Sequence, residues 1–213
     1  MNKSKNSLGI LEQSPPQIPE DFDATEYKQH IRIMRDIEFL QAHNDFFREV
    51  GFFDYTLTSF EHFKDWIKGS FLEVGCASGR TLKAVKTFCD VDQCVGIDIS
   101  HVALKAAEHD VVLADVEKGL PFRDAIFDTV LCGHVLEHLR DPKQALIEIQ
   151  RVCRDRIIIL VPLQNESQRW KKTNWHIQFW PTIESFERFY GEKAEIALSV
   201  RDDSLAIMLF RKK

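Results

Sequence analysis

The sequence predicts an α/β protein built on a mainly parallel sheet. Short, nearly continuous apolar runs alternate with amphipathic stretches along most of the chain. Strands buried on both faces have this pattern, and the helices between them cover a parallel sheet. A run of small residues after the first strand also predicts a ligand-binding turn at the sheet edge. We expect strands directly before Gly75 and over residues 93–99, 111–114, 127–132, 156–161, 194–200 and 205–210.

Helical periodicity predicts the elements between the strands. Apolar residues recur at steps of three and four over 24–50 and again over 59–68. The apolar face of the second stretch consists of Phe60, Phe63, Trp66 and Ile67. Asp141 and Pro142 have the order expected at a helix start, where proline suits the first turn. Further helices are expected over residues 81–88, 142–152 and 182–190.

These patterns divide the chain into three parts. Residues 1–22 are polar and contain three prolines, which predicts a flexible N-terminal arm. Residues 23–69 are expected to form an N-terminal helical cap over the crevice of the sheet, although covering apolar surface alone explains them equally well. Residues 70–213 are expected to form the ligand-binding α/β domain.

Composition excludes several classes of protein. The net charge of −5 argues against general binding of nucleic acid, and the chain has no run of eighteen apolar residues that would span a membrane. The N-terminal segment has no secretory signal pattern. The five cysteines are an odd number without C-x-x-C spacing, so we expect buried, reduced thiols in a cytoplasmic protein.

The turn over residues 75–79 is the clearest indication of a ligand-binding site in the sequence. Small residues between a strand and a helix let the backbone approach a ligand, and the helix start offers free N–H groups. Two of the three glycines of the dinucleotide fingerprint are missing, and neither Gly75 nor Gly79 begins a phosphate-binding P-loop. A tight turn without a ligand is the alternative for this stretch taken alone.

An acidic residue followed by small residues at every second position resembles motif I of the class I S-adenosylmethionine-dependent methyltransferases. The departure is Ala77, which stands where that motif has its middle glycine. The resemblance implies that this stretch binds S-adenosylmethionine as co-substrate. The implied cofactor-binding residues are Glu73, Gly75, Cys76, Ala77 and Gly79.

Two acids further along the chain extend the resemblance. Asp98 ends the second predicted strand about twenty residues after the glycine loop, where an acid accepts hydrogen bonds from ribose hydroxyls, although it could also cap a helix. Asp115 follows the third strand, and the resemblance implies that it and the Val116 N–H recognise adenine. Ile99 is also expected at the cofactor.

The stretch from Phe127 to Pro142 closely resembles the type 11 branch of these methyltransferases, which includes ubiquinone-pathway enzymes. The resemblance implies a Rossmann-like, seven-stranded sheet with a C-terminal antiparallel hairpin. It also implies methyl transfer to an O, N or C atom of an acceptor, most simply a small molecule. An S-adenosylmethionine-binding scaffold without activity is the alternative, and a dinucleotide-dependent oxidoreductase is a third.

The segment from His134 to His138 supports more than one interpretation. Its H-x-x-E-H pattern matches a zinc-protease signature, but it follows an apolar strand inside a run that the methyltransferase resemblance already explains. Some methyltransferases have E-x-x-E-H here and bind a divalent metal; this chain has His134 in place of the first glutamate, so we expect no metal. His134 is expected at the cofactor, and His138 or His176 as a general base for a hydroxyl acceptor.

The segment over residues 164–181 is the least standard part of the chain. Three tryptophans alternate there with basic residues. Such a segment after the fifth strand suits a lid or an acceptor site, since aromatic and cationic side chains bind rings and phosphates. Packing of the aromatic residues under a surface loop is an equal alternative.

Overall fold

A seven-stranded sheet forms the centre of the computed structural model, which describes residues 56–165 and 176–212. The strand order is β3-β2-β1-β4-β5-β7-β6. The strands are β1 (Ser70–Val74), β2 (Gln93–Asp98), β3 (Val111–Leu113), β4 (Phe127–Gly133), β5 (Cys153–Pro162), β6 (Ile196–Val200) and β7 (Leu205–Arg211). Each predicted strand is therefore present, with bounds that differ by up to three residues.

The relative directions of the strands agree with the predicted fold class. Strands β1 to β5 pair in parallel, whereas β7 pairs antiparallel with both β5 and β6. The chain builds outward from β1 to β2 and β3, then returns to place β4 on the other side of β1. In such sheets ligands bind where the strand order reverses, outside the carboxyl ends of the strands. That position lies between β1 and β4.

Within the described residues, four α-helices lie between the strands: α1 (Arg80–Phe88), α2 (His101–Lys105), α3 (Pro142–Val152) and α4 (Ile183–Tyr190). The start of α3 is as predicted, because the Asp141 carboxylate accepts the Gln144 N–H at 3.0 Å and proline occupies the first turn. A capping box of Thr182 and Ser185 starts α4. Within the described ranges, none of the helices combines the length and hydrophobicity needed to cross a membrane.

One predicted helix has a different form. Residues 59–68 were expected to be α-helical, but the structure has two 3₁₀-helices, Leu57–His62 and Lys64–Trp66, with a break at Phe63, where φ is −131°. The aromatic spacing explains the difference, because Phe60, Phe63 and Trp66 recur at steps of three and a 3₁₀-helix has three residues per turn. The rings of Phe60 and Phe63 meet edge to face at 5.7 Å between centroids, and both are buried.

The sheet separates two apolar cores. Ile158 and Leu160 of β5 lie in one core, which also contains Phe60 and Phe63. The residues that alternate with them along β5 lie in the other core: Ile157, Ile159 and Val161. Neighbouring residues in a strand point to opposite faces, so a nearly continuous apolar run fills both layers. The 57–66 segment therefore packs against the sheet itself.

The burial of the cysteines agrees with the prediction at four of the five positions, and Cys89 is half-buried. All five are free thiols, and Cys76, Cys94, Cys132 and Cys153 are buried. Burial raises the pKa of Cys94 to about 12 and that of Cys153 to about 11. Burial therefore favours the protonated thiol over the nucleophilic thiolate at these positions.

Candidate functional site

The turn after β1 has the backbone that its small residues predict. Gly75, Ala77 and Gly79 have φ values of 80°, 46° and 78°. Glycine adopts such left-handed angles at little cost, whereas an alanine is strained by them. The N–H groups of Gly75 and Cys76 donate to the Ile97 carbonyl at 2.8 and 2.9 Å, which joins the turn to β2. The turn then leads directly into α1, which begins at Arg80.

Gly75 also brings the turn against the segment that follows β4. A Cβ atom at Gly75 would lie 2.3 Å from the Cγ2 atom of Val135, well inside contact distance. The backbone of the glycine turn therefore touches the H-x-x-E-H segment. Both lie where the strand order reverses, so they line the same crevice.

Asp98 connects the glycine turn to the next helix. Its Oδ2 accepts the Ala77 N–H at 2.9 Å, and its Oδ1 accepts the Ser100 N–H at 2.7 Å. Burial raises the pKa of Asp98, although these backbone donors favour the charged form. The helix cap of α2 is Ser100, whose hydroxyl accepts the Ala103 N–H. Asp98 therefore stabilises the glycine turn, whereas Ser100 caps α2.

The remaining predicted cofactor residues lie along the same edge. The Asp98 carbonyl accepts the Ala114 N–H at 3.0 Å, which brings Asp115 beside the end of β2. Asp115 accepts the Glu117 N–H and caps the short 3₁₀-helix Val116–Lys118. Ile99 has 42% of its surface exposed beside Asp98, as expected of an apolar side chain available to a flat ring. Val116 is buried.

Two predicted cofactor residues have side chains within the fold. Cys76 is 2% exposed, and a Cβ at Gly96 would lie 2.5 Å from its Sγ, so the thiol packs against β2. Its N–H is already bonded to Ile97. Glu73 is 3% exposed within β1. Their contact with a cofactor stays a prediction.

The H-x-x-E-H segment forms a 3₁₀-helix, Leu136–His138, after a left-handed residue, His134, whose φ is 56°. Glu137 is completely buried there. Its carbonyl accepts the N–H groups of Ile177 and Gln178 at 2.8 and 3.0 Å, which brings the segment after β5 onto this turn. His176, thirty-nine residues after Glu137 in sequence, thereby reaches the same place.

Three imidazoles surround the Glu137 carboxylate. Its Oε1 lies 3.5 Å from His134 Nδ1, 3.9 Å from His138 Nε2 and 4.0 Å from His176 Nε2. Burial disfavours the carboxylate, but the imidazoles outweigh that effect and hold the pKa of Glu137 below its usual range. Burial and the neighbouring His138 lower the pKa of His176 to about 4.

Other segments cover this edge or support it. Thr56 lies against the end of β4, since a Cβ at Gly133 would be 2.6 Å from its Oγ1. Trp180 is a core residue, with its ring 5.1 Å from that of Phe186. Of the predicted 164–181 segment, residues 166–175 lie outside the described residues, as do the predicted arm and the 24–50 helix.

A family model described as a methyltransferase domain matches residues 72–161. The matched stretch contains the glycine turn, both acids and the H-x-x-E-H segment. Residues 72–161 therefore match the methyltransferase-domain family. The fold class, the family and S-adenosylmethionine as co-substrate, all predicted from the sequence, are thereby confirmed.

Relatives and solved structures agree with this assignment. A demethylmenaquinone methyltransferase of Lactiplantibacillus plantarum is 30% identical over 135 residues, 57% of this chain and 56% of that protein. A Thermotoga maritima protein described as an S-adenosylmethionine-dependent methyltransferase, possibly acting on histamine, has a TM-score of 0.60 at 20% identity over 85% of this chain and 99% of its own.

A third likeness is to a chain of the complex between the Haloferax volcanii Trm112 methyltransferase activator and a methyltransferase. Its TM-score is 0.61 at 17% identity, over 92% of this chain and 99% of that one. At such identity the likeness shows the fold alone. The chain spans about half, or less, of the length of the curated relatives that it matches.

Sequence reasoning missed two residues of the candidate site. Val135 was not singled out, and no local signal shows that it packs against Gly75. Glu137 was given no role of its own beyond its place in the H-x-x-E-H pattern, yet it is buried between three histidines. Its position between His134 and His138 in sequence was the available signal.

The strained alanine of the turn leads to a prediction. Replacing Ala77 by glycine should raise the free energy of unfolding by up to about 1 kcal/mol, because the left-handed penalty for alanine exceeds the entropy cost of glycine. Affinity for S-adenosylmethionine should be retained. Urea denaturation and calorimetric titration measure the two quantities.

Ala125 provides a matched control, because its φ of 50° is also left-handed and it lies before β4, away from the turn. Ala125→Gly should give a similar gain in stability. A loss of stability in Ala77→Gly, with the gain present in Ala125→Gly, would show that the Ala77 methyl group has a packing role that offsets its strain.

Proposed function

We propose that this protein transfers the methyl group of S-adenosylmethionine to an O, N or C atom of a small-molecule acceptor. One observation carries the proposal. The glycine turn, which has the backbone of a cofactor loop, is in contact through Val135 with a segment that presents the partly exposed imidazole of His138 at the same sheet edge. A cofactor site and a polar acceptor site are then neighbours.

The residues of β1, β2 and β3 have distinct roles in this proposal. The glycine turn and the start of α1 bind the amino-acid end of the cofactor. Asp98 accepts hydrogen bonds from the ribose hydroxyls, and Asp115 and the Val116 N–H face the adenine ring. The bound cofactor supplies an electrophilic methyl group, to which the acceptor lone pair bonds while the electrons of the methyl–sulfur bond stay on sulfur. Alignment of this kind contributes ~7–11 kcal/mol to lowering a barrier.

A hydroxyl acceptor must lose its proton, and two imidazoles are candidates for the base. His138 suits this role better than His176, because its side chain is 29% exposed and that of His176 is 10% exposed. The Nδ1 atom of His176 is also engaged with the Gln164 side chain at 2.8 Å. A base must reach the acceptor through the open side of the pocket.

The experiment is direct measurement of turnover. The full chain is incubated with S-adenosylmethionine and a panel of amines, phenols, aliphatic alcohols and carbon nucleophiles, and S-adenosylhomocysteine is quantified by mass spectrometry. We expect release above the acceptor-free rate for at least one class, together with the methylated product.

Binding measurements separate the alternatives. Calorimetric binding of S-adenosylmethionine without turnover over the whole panel would support the scaffold function instead. Binding of NADH without binding of S-adenosylmethionine would support an oxidoreductase. Either result would overturn the proposed methyl transfer.

A further inference from the structure

The Glu137 carboxylate has an unusual environment for a buried anion. It is 0% exposed, and among the described residues neither of its oxygens has a hydrogen bond within normal limits. The His134 Nδ1 atom, at 3.5 Å, lies at the outer edge of hydrogen-bonding distance. Buried charges are normally hydrogen-bonded, paired with a cation or bound to a metal. Because the nearest imidazole nitrogens lie 3.5–4.0 Å away, a cation bound between them and the carboxylate would neutralise it at closer range.

The orientation of His176 indicates what that partner is. The Gln164 side-chain oxygen accepts a hydrogen bond from His176 Nδ1 at 2.8 Å, so Nδ1 carries the proton and Nε2 presents its lone pair. That lone pair faces Glu137 Oε1 at 4.0 Å. A lone pair and a carboxylate repel each other, and a cation bound between them would remove that repulsion. Metal-binding imidazoles have this same arrangement, with the second nitrogen bonded to an oxygen.

His138 completes a set of three donors. Its Nε2 lies 3.9 Å from Glu137 Oε1, and its ring meets that of His176 edge to face at 4.8 Å between centroids. One donor atom from each of these three residues lies within 4.8 Å of the other two. Donors bound to one metal at ~2.0–2.2 Å are roughly 3–3.5 Å apart, so a contraction of about 1 Å would close the set.

We propose that Glu137, His138 and His176 bind one divalent first-row transition metal ion. Two imidazoles and one carboxylate favour zinc, iron, manganese or cobalt, whereas magnesium and calcium prefer oxygen donors. The sequence favoured a metal-free pocket because His134 replaces a glutamate. The geometry points to the opposite conclusion, because His176 reaches the site from beyond β5.

The partly exposed side of His138 leaves coordination positions open to the crevice. The role of these positions rests on the proposed methyl transfer. In that reaction they suit a hydroxyl-bearing acceptor, since a metal lowers the pKa of a bound hydroxyl. The released proton would pass to solvent water at that open side. His138 and His176 would then be ligands, and the metal would replace the imidazole as the means of activating the hydroxyl.

Cobalt binding tests the site independently of catalysis. The full chain, without a histidine tag, is freed of metal with a chelator and titrated with Co²⁺ while visible absorption is recorded, and Zn²⁺ is then added as a competitor. We expect one Co²⁺ per chain, with d–d bands that Zn²⁺ removes. Glu137→Gln, His138→Gln and His176→Gln should each weaken binding at least tenfold.

His62→Gln is the matched control, because His62 is exposed at the end of the Leu57–His62 helix. It should bind Co²⁺ as the unaltered protein does. If Glu137→Gln fails to fold, His138→Gln still decides, because its ring is partly exposed. No d–d bands, or unchanged binding in His138→Gln, would overturn the metal site. Stoichiometric Co²⁺ binding without methyl transfer would support the metal site and contradict only the proposed activity.

Discussion

Replacing Gly75 by alanine is expected to destabilise the domain by about 2–5 kcal/mol and to remove measurable binding of S-adenosylmethionine. Two costs add. Alanine at a φ of 80° costs ~1–2 kcal/mol, and its Cβ would lie 2.3 Å from Val135 Cγ2, an overpacking that costs ~1–3 kcal/mol. Val135 is β-branched and stiff at χ1, so the turn must move instead. Urea denaturation and calorimetric titration measure both effects.

Gly191→Ala separates the two costs. Gly191 has a φ of 95° at the end of α4, and a Cβ there meets nothing within 4 Å. This variant should lose only ~1–2 kcal/mol and keep full affinity for the cofactor. Adding Val135→Ala to Gly75→Ala should restore part of the lost stability. Equal losses in Gly75→Ala and Gly191→Ala would show that the contact with Val135 is unimportant.

The elements that position the proposed cofactor half of the site were predictable because their signals are local. The apolar run of β5 is long enough to fill both cores, and Asp141 with Pro142 defines the start of α3 wherever that helix packs. The glycine turn is also local, because its φ angles follow from the small residues themselves. Asp98 was correctly placed at the strand end, and Ser100 replaces it as the helix cap.

The acceptor half was harder to predict because it depends on contacts between distant residues. The buried state of Glu137 follows from backbone bonds to Ile177 and Gln178, which no spacing rule connects to it. The position of Thr56 over Gly133 likewise depends on the 3₁₀ form of the following segment. A pattern of apolar residues gives the buried face of that segment, but the choice between 3₁₀ and α geometry depends on packing.

The different packing of the two halves has a consequence for function. The proposed cofactor side is held by hydrogen bonds that the Asp98 carboxylate accepts and by the backbone of β2, whereas the proposed acceptor side is held by the turn at Glu137. They meet at Val135. A change of acceptor can therefore arise from substitutions after β4 and β5 without disturbing the glycine turn, because loops at this sheet edge vary independently of the strands that support them.

Replacing Asp98 by alanine is expected to weaken binding of S-adenosylmethionine by ~10–100-fold. The variant loses the proposed charged partner of the ribose hydroxyls, and a hydrogen bond to a charged group contributes about 1.5–3 kcal/mol. It also leaves the Ala77 and Ser100 N–H groups without their acceptor. Calorimetric titration with S-adenosylhomocysteine, a stable ligand, measures the loss. Asp110→Ala, which removes an acid whose side chain is 83% exposed, should bind normally.

A ligand comparison separates the two roles of Asp98. The unaltered protein should prefer S-adenosylhomocysteine to its 2′,3′-dideoxy analogue, because only the former has ribose hydroxyls for the carboxylate. Asp98→Ala should bind the two ligands with similar affinity. If Asp98 only supports the turn, the variant would lose affinity for both ligands by the same factor and keep the preference. That outcome would contradict ribose recognition by Asp98, and with it the proposed position of the cofactor in the crevice, since the adenine contacts of Asp115 depend on the same placement.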